Sequence, residues 1–263
     1  MLVNTAHLKG LAIHARDGAL GTVEDFYFDD DTWGVRYFVV DTGGLAGRKV
    51  LISPMSVIRT DWQDKRMDLA LSQEQVKNSP DIDTHKPVSR QHEAEYLGYY
   101  GYPYYWGGPY LWGDVLYPAG LAVPATGLSE NAAMSLPAET EETHLHSCDA
   151  VCGFHLDALD GELGHLDCFL VDDQAWAIRY AVVATRNWWP GKKVLVSPAW
   201  VESISWPESK VFVGLKQDAI RGAPEYDESL PVTREYEHRL YLHYGRPPYW
   251  AGQPEREYAH TGA

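Results

Sequence analysis

The sequence predicts an all-β protein made of two tandem small barrels of about six strands each, every barrel carrying a short helix and an aromatic-rich C-terminal extension. Three observations point there: the chain repeats itself, its apolar runs are short, and turn residues divide them at intervals of eight to twelve positions. Aligned with itself at a shift of 143, the chain pairs Asp17-Gly18-Ala19-Leu20-Gly21 with Asp160-Gly161-Glu162-Leu163-Gly164, Trp33 with Trp176, and Arg36-Tyr37 with Arg179-Tyr180. Between residues 17 and 42, 13 of 26 positions are identical, so both copies carry one fold-specifying pattern. One extra residue near Asn187 moves the shift to 144. Ser53-Pro54, Trp62 and Pro80 then meet Ser197-Pro198, Trp206 and Pro224, while Tyr100-Gly101 and Tyr105-Trp106 meet Tyr244-Gly245 and Tyr249-Trp250.

This organisation divides the chain into a first barrel at 1–80, its extension at 81–117, a linker at 118–143, a second barrel at 144–224 and its extension at 225–263. The linker is assigned from its Gly, Pro, Ala and Ser content.

Within the first copy, Asp17-Gly18 is a hairpin dipeptide, because glycine takes the positive φ of a primed turn. A strand from Leu20 to Phe28 follows, then the polar turn Asp29-Asp30-Asp31-Thr32 and a returning strand from Trp33 to Asp41. Lys49 to Ser53 forms the next strand, stopped by Pro54, which has no amide hydrogen for a ladder. Val57 to Trp62 and Met67 to Leu71 complete the set. Ser72 then caps a short helix that breaks at Pro80. The weak alternation across Val35 to Val40 implies a sheet covered on both faces, and closing the sheet on itself would remove its edges.

The 37 acidic against 22 basic residues give a net charge of −15, which disfavours nucleic acid and anionic membranes as partners, since no basic face compensates. The first ten residues do not read as a secretory signal, and no run of 18 apolar residues predicts a membrane span. Cys148, Cys152 and Cys168 are an odd set confined to the second half, which argues against a disulfide framework and for a reducing, cytoplasmic setting.

The stretch Trp33-Gly34-Val35-Arg36-Tyr37-Phe38-Val39-Val40-Asp41-Thr42-Gly43, followed by Gly47-Arg48-Lys49-Val50-Leu51-Ile52-Ser53-Pro54, resembles the central two strands of the PRC-barrel family. That family is named for the cytoplasmic domain of the photosynthetic reaction-centre H subunit and includes RimM-type ribosome maturation factors. Trp188-Trp189-Pro190-Gly191-Lys192-Lys193-Val194-Leu195-Val196-Ser197-Pro198 resembles the same strands in the second copy. Val76 to Pro80, with Pro87-Val88-Ser89-Arg90, is similar to the extended form found in bacterial two-barrel members. The resemblance implies a scaffold or protein-binding role without shared catalytic residues. The specific roles of the reaction-centre subunit and the ribosome factor do not transfer, because no membrane helix and no domain ahead of the barrel are read from the sequence.

Candidate chemistry is sparse. His144, His146, Cys148 and Cys152 carry zinc-type donors, but their spacing is not that of paired ligand knuckles, and small half-buried cysteines on a strand are the commoner outcome. Asp29-Asp30-Asp31 lacks the glycine-containing loop of a calcium site, and Ser53 and Ser197 lack a nucleophile elbow. No cofactor and no catalytic residue is assigned. The densest local feature is aromatic, and Tyr100, Tyr105 and Trp106, with Tyr244, Tyr249 and Trp250, are the candidate interaction residues. Such rings can strap the extension onto a barrel, the neighbouring copy being the expected one, meet a partner, a homodimer included, or form a platform for a sugar or peptide. The function expected is a non-enzymatic interaction or scaffold module of unknown partner. The alternative is a small-ligand or metal-binding sensor using the His/Cys-rich start of the second barrel.

Overall fold

The computed structural model describes residues 1–43, 48–80, 88, 90–106, 108–118, 144–185 and 192–251. The linker from 119 to 143 and the Trp188-to-Gly191 stretch of the family resemblance lie outside them.

The first half opens with β1 (Leu2–Asn4) and α1 (Thr5–Leu8), then β2 (Ala12–Ala15), β3 (Gly18–Asp29), β4 (Val35–Asp41), β5 (Lys49–Ile52), β6 (Val57–Asp61) and β7 (Arg66–Leu69). Helices α2 (Gln73–Lys77) and α3 (Arg90–Tyr100) close it. The second half repeats the order: β8 (Leu145–Ser147), α4 (Cys148–Val151), β9 (His155–Ala158), β10 (Gly161–Asp172), β11 (Ala177–Thr185), β12 (Lys193–Val196), β13 (Val201–Ser205), β14 (Lys210–Val213), α5 (Gln217–Arg221) and α6 (Arg234–Tyr244). Every strand expected in the first copy is present, and Ser72 caps α2 in a full capping box with Gln75. The extensions contain an unexpected element, an eleven-residue helix in each half.

Each half forms a seven-stranded sheet. The first runs β5-β4-β3-β2-β7-β6 and the second β12-β11-β10-β9-β14-β13. Glycine is required where β3 crosses the end of β4: a Cβ on Gly21 would collide with the Asp41 carbonyl, and one on Gly164 with that of Ala184. The expected closure into a barrel is not seen, since no ladder among the described residues joins β5 to β6 or β12 to β13. The reason is local. Pro54–Ser56 forms a single 3-10 turn that carries the chain from β5 straight into β6, and Pro198–Trp200 does the same in the second half.

The seventh strand of each sheet comes from the other half. β1 pairs antiparallel with β10, Leu2 opposite Asp172, and β8 pairs with β3, Leu145 opposite Asp29. These registers are equivalent at the repeat shift, so the exchange is reciprocal. Beside it, Val35 N donates to Trp176 O at 2.7 Å and Ile178 N to Trp33 O at 2.8 Å. Both tryptophans hold left-handed backbone, φ 59° and 51°, a conformation costing about 1–3 kcal/mol for a bulky residue. Their rings offset that cost. Trp176 meets Phe38 edge-on at 4.8 Å, and Trp33 stacks on Phe28 at 5.4 Å, which in turn meets Phe169 at 5.6 Å. One apolar cluster consequently runs through both halves.

Candidate functional site

The side chains that recur between the copies converge beneath the extension helices. In the first half, α3 places Glu93 with no exposed surface over β4. Its carboxylate accepts from Tyr37 Oη at 3.1 Å and from Tyr105 Oη, and Arg90 Nη1 lies 3.4 Å away. His144 Nε2, from just before β8, lies 2.9 Å from the same carboxylate and 3.3 Å from Tyr105 Oη. Burial, together with the carboxylate charge, pushes the Tyr37 and Tyr105 hydroxyls well above the ordinary phenol range. In the second half, Glu237 accepts from Tyr180 Oη at 2.8 Å and pairs with Arg234 at 3.0 Å. Burial raises the Glu237 carboxyl above its usual value even though these partners pull it down. These hydroxyls and carboxylates are hydrogen-bonded groups largely buried from solvent, which suits holding a helix on a sheet.

Residues 5–68, from α1 through most of β7, match the family described as the PRC-barrel domain. This region is a PRC-barrel domain. A search of curated proteins gives no match. α3, which packs on the PRC domain, lies beyond the matched residues. No helix among the described residues is long and apolar enough to cross a membrane.

The candidate interaction rings pack against their own half. Tyr105 lies under the Arg36 guanidinium at 3.8 Å, and Trp106 faces Arg90 at 4.6 Å. Tyr100 stacks on Tyr102 at 5.6 Å. In the second half Tyr249 faces Arg179 at 4.3 Å, Trp250 faces Arg234 at 3.9 Å, and Tyr244 donates to Leu195 O at 3.2 Å. These rings therefore strap each extension onto its own sheet, while other contacts of the extensions reach the neighbouring copy. The segment after α3 does cross over, with Trp112 Nε1 donating to Ala175 O at 2.7 Å.

The four weak metal candidates go separate ways. His144 faces Glu93, while His146 stacks on Trp206 at 3.5 Å and pairs with Asp30. Cys148 is buried in α4 with its thiol pushed far up by burial, and burial takes the Cys152 thiol to about 11. Thiols held protonated in this way are poor zinc donors. Metal-type donors do cluster at Asp29-Asp30-Asp31 and at Asp167, Cys168 and Glu228. Asp29, however, accepts from the Asp31 and Thr32 amides and pairs with Arg36, while Lys193 bridges Asp167 and Glu228.

Sequence reading missed Glu93 and Glu237. Glu93/Glu237 and Arg90/Arg234 recur at the 144 shift and Tyr37/Tyr180 at the 143 shift, so the signal was an acid, a base and a phenol repeated in both copies but spread over some 60 residues.

Proposed function

We propose that the chain is a non-enzymatic protein-interaction or scaffold module made of two PRC-type units, acting in the cytoplasm on a protein partner. The second unit is assigned from its identical element order and strand register. The observation that carries the reading is the fate of the recurring polar groups: Glu93, Glu237, Arg36 and Asp29 are bound to partners within the chain, so the repeat preserves a body and not a reactive centre. The described grooves are open, and none is lined by a histidine or a cysteine. A homodimer through the aromatic extensions gains little from rings already packed within each half.

The test is affinity capture of the tagged full chain from cells that make it, with and without crosslinking, followed by reconstitution with the purified candidate. A partner that co-elutes at fixed stoichiometry supports the reading. Failure to reconstitute any captured protein, together with turnover of a small molecule by the chain alone, sinks it.

A further inference from the structure

Two grooves flank the exchange, and they are related by the repeat. Each lies between the terminal strand of one half and the hairpin turn of the other. The first sets Val57, Ile58 and Arg59 of β6 against Asp173, Gln174 and Trp176, and the second sets Val201, Glu202 and Ile204 of β13 against Asp30, Asp31 and Trp33. Their volumes are alike, about 440 and 430 Å³. The first is walled by Tyr117 and the buried Pro118, a segment of this chain that runs over from the first extension. The second has no such wall among the described residues.

Charge separates them further. At repeat-equivalent positions Ile58 and Arg59 become Glu202 and Ser203, and Gln174 becomes Asp31. The second groove thus carries Asp30, Asp31 and Glu202 with no lysine or arginine in its lining. Asp30 is paired with His146, whereas Asp31 and Glu202 are exposed. Trp33 and Val201 match Trp176 and Val57 of the first groove, Ile204 stands where that groove has Thr60, and β13 is the terminal strand of its sheet, so an extended segment can run along it.

We infer that the β13 groove seats an extended cationic segment of a partner protein, in the place where its mate is walled by the chain's own Tyr117-Pro118. This rests on the interaction reading above and adds to it a surface and a chemistry. The net charge of −15 draws a basic segment toward the molecule, and the groove supplies apolar contact and two free carboxylates to fix it.

The probe is a fluorescein-labelled peptide with a central leucine-tyrosine-proline triplet flanked by lysines, and its counterpart flanked by glutamates, titrated with the full chain by fluorescence anisotropy. Saturable binding of the lysine peptide alone is expected, weakened at least about tenfold by Asp31→Lys with Glu202→Lys. Asp218→Lys with Glu235→Lys, an equal charge change on α5 and α6, should alter it far less. All these positions are exposed, and unchanged melting curves would certify the fold. No saturable binding, or equal loss in both double variants, overturns the groove assignment. Either result leaves the whole-chain capture experiment as the separate judge of the interaction reading.

Discussion

The two buried carboxylates are related by the repeat yet differently furnished. Glu93 is reached from α3, β4, the segment after α3 and the start of the second half, because His144 closes over it. Glu237 has Tyr180, Tyr249 and Arg234 but no histidine, since the residue equivalent to His144 is Met1, whose terminal ammonium instead pairs with Asp173. The first carboxylate is therefore closed over by the other half, while the second, among the described residues, is held by its own half. Duplication kept the helix-to-sheet bond, while divergence changed what closes over it.

The sharpest way to break this comparison is to separate the halves. Fragments 1–118 and 144–263 each lack the seventh strand that the other contributes and expose the Phe28, Phe169 and Trp176 surface. Each alone is expected to give a weak β signal by circular dichroism and no cooperative melt, with both restored on mixing. A single fragment that melts like the intact chain would show the exchange to be dispensable.

Next in size is removal of the carboxylates. Glu93→Ala leaves the Tyr37 and Tyr105 hydroxyls without their acceptor in a dry site and is expected to cost about 3 kcal/mol in urea unfolding. Glu237→Ala orphans Tyr180 and Tyr249 at a site that no histidine closes and should cost less. Equal losses would mean that the His144 side of the first site is inert.

Much of this architecture was readable beforehand, and what escaped did so for physical reasons. Strands β3 to β7 announce themselves because their apolar runs end at Asp-Gly, at Pro54 and at polar turns. The exchanged strands β1 and β8 are three residues long, too short for a period, and nothing in Leu2-Val3-Asn4 tells which half it pairs with. Helix α3 went unseen because Tyr96, Tyr99 and Tyr100 spread its rings around the axis instead of collecting them in a stripe. The aromatic positions were correctly singled out, but their partners are arginines and a glutamate distant in the chain.

A smaller contrast concerns the open strand edges. Tyr96 Oη donates to Leu51 O at 3.0 Å and accepts from Ser53 N at 3.1 Å, so one phenol satisfies both groups at the end of β5. In the second half the donor comes one helical turn later, from Tyr244, and meets Leu195 O alone. Tyr96→Phe should lower stability by about 1–3 kcal/mol, and Tyr244→Phe by about 1 kcal/mol, in thermal or urea melts. The reverse order would show that the edge groups find other partners.

The finest test reads the Glu237 environment through pH. Because burial raises its carboxyl above the ordinary value of 4.5, the folded state binds this proton more tightly than the unfolded chain. Its contribution is full below that ordinary value and is lost as pH rises through the higher folded one. Asp25, also raised by burial, acts with the same sign. Urea midpoints of wild type and Glu237→Gln, followed across the acid range, should therefore diverge: the variant keeps the part of the slope due to Asp25 and loses that due to Glu237. Parallel profiles would place the Glu237 proton in an environment no different from water, and the second strap would then be held by its rings and arginines alone.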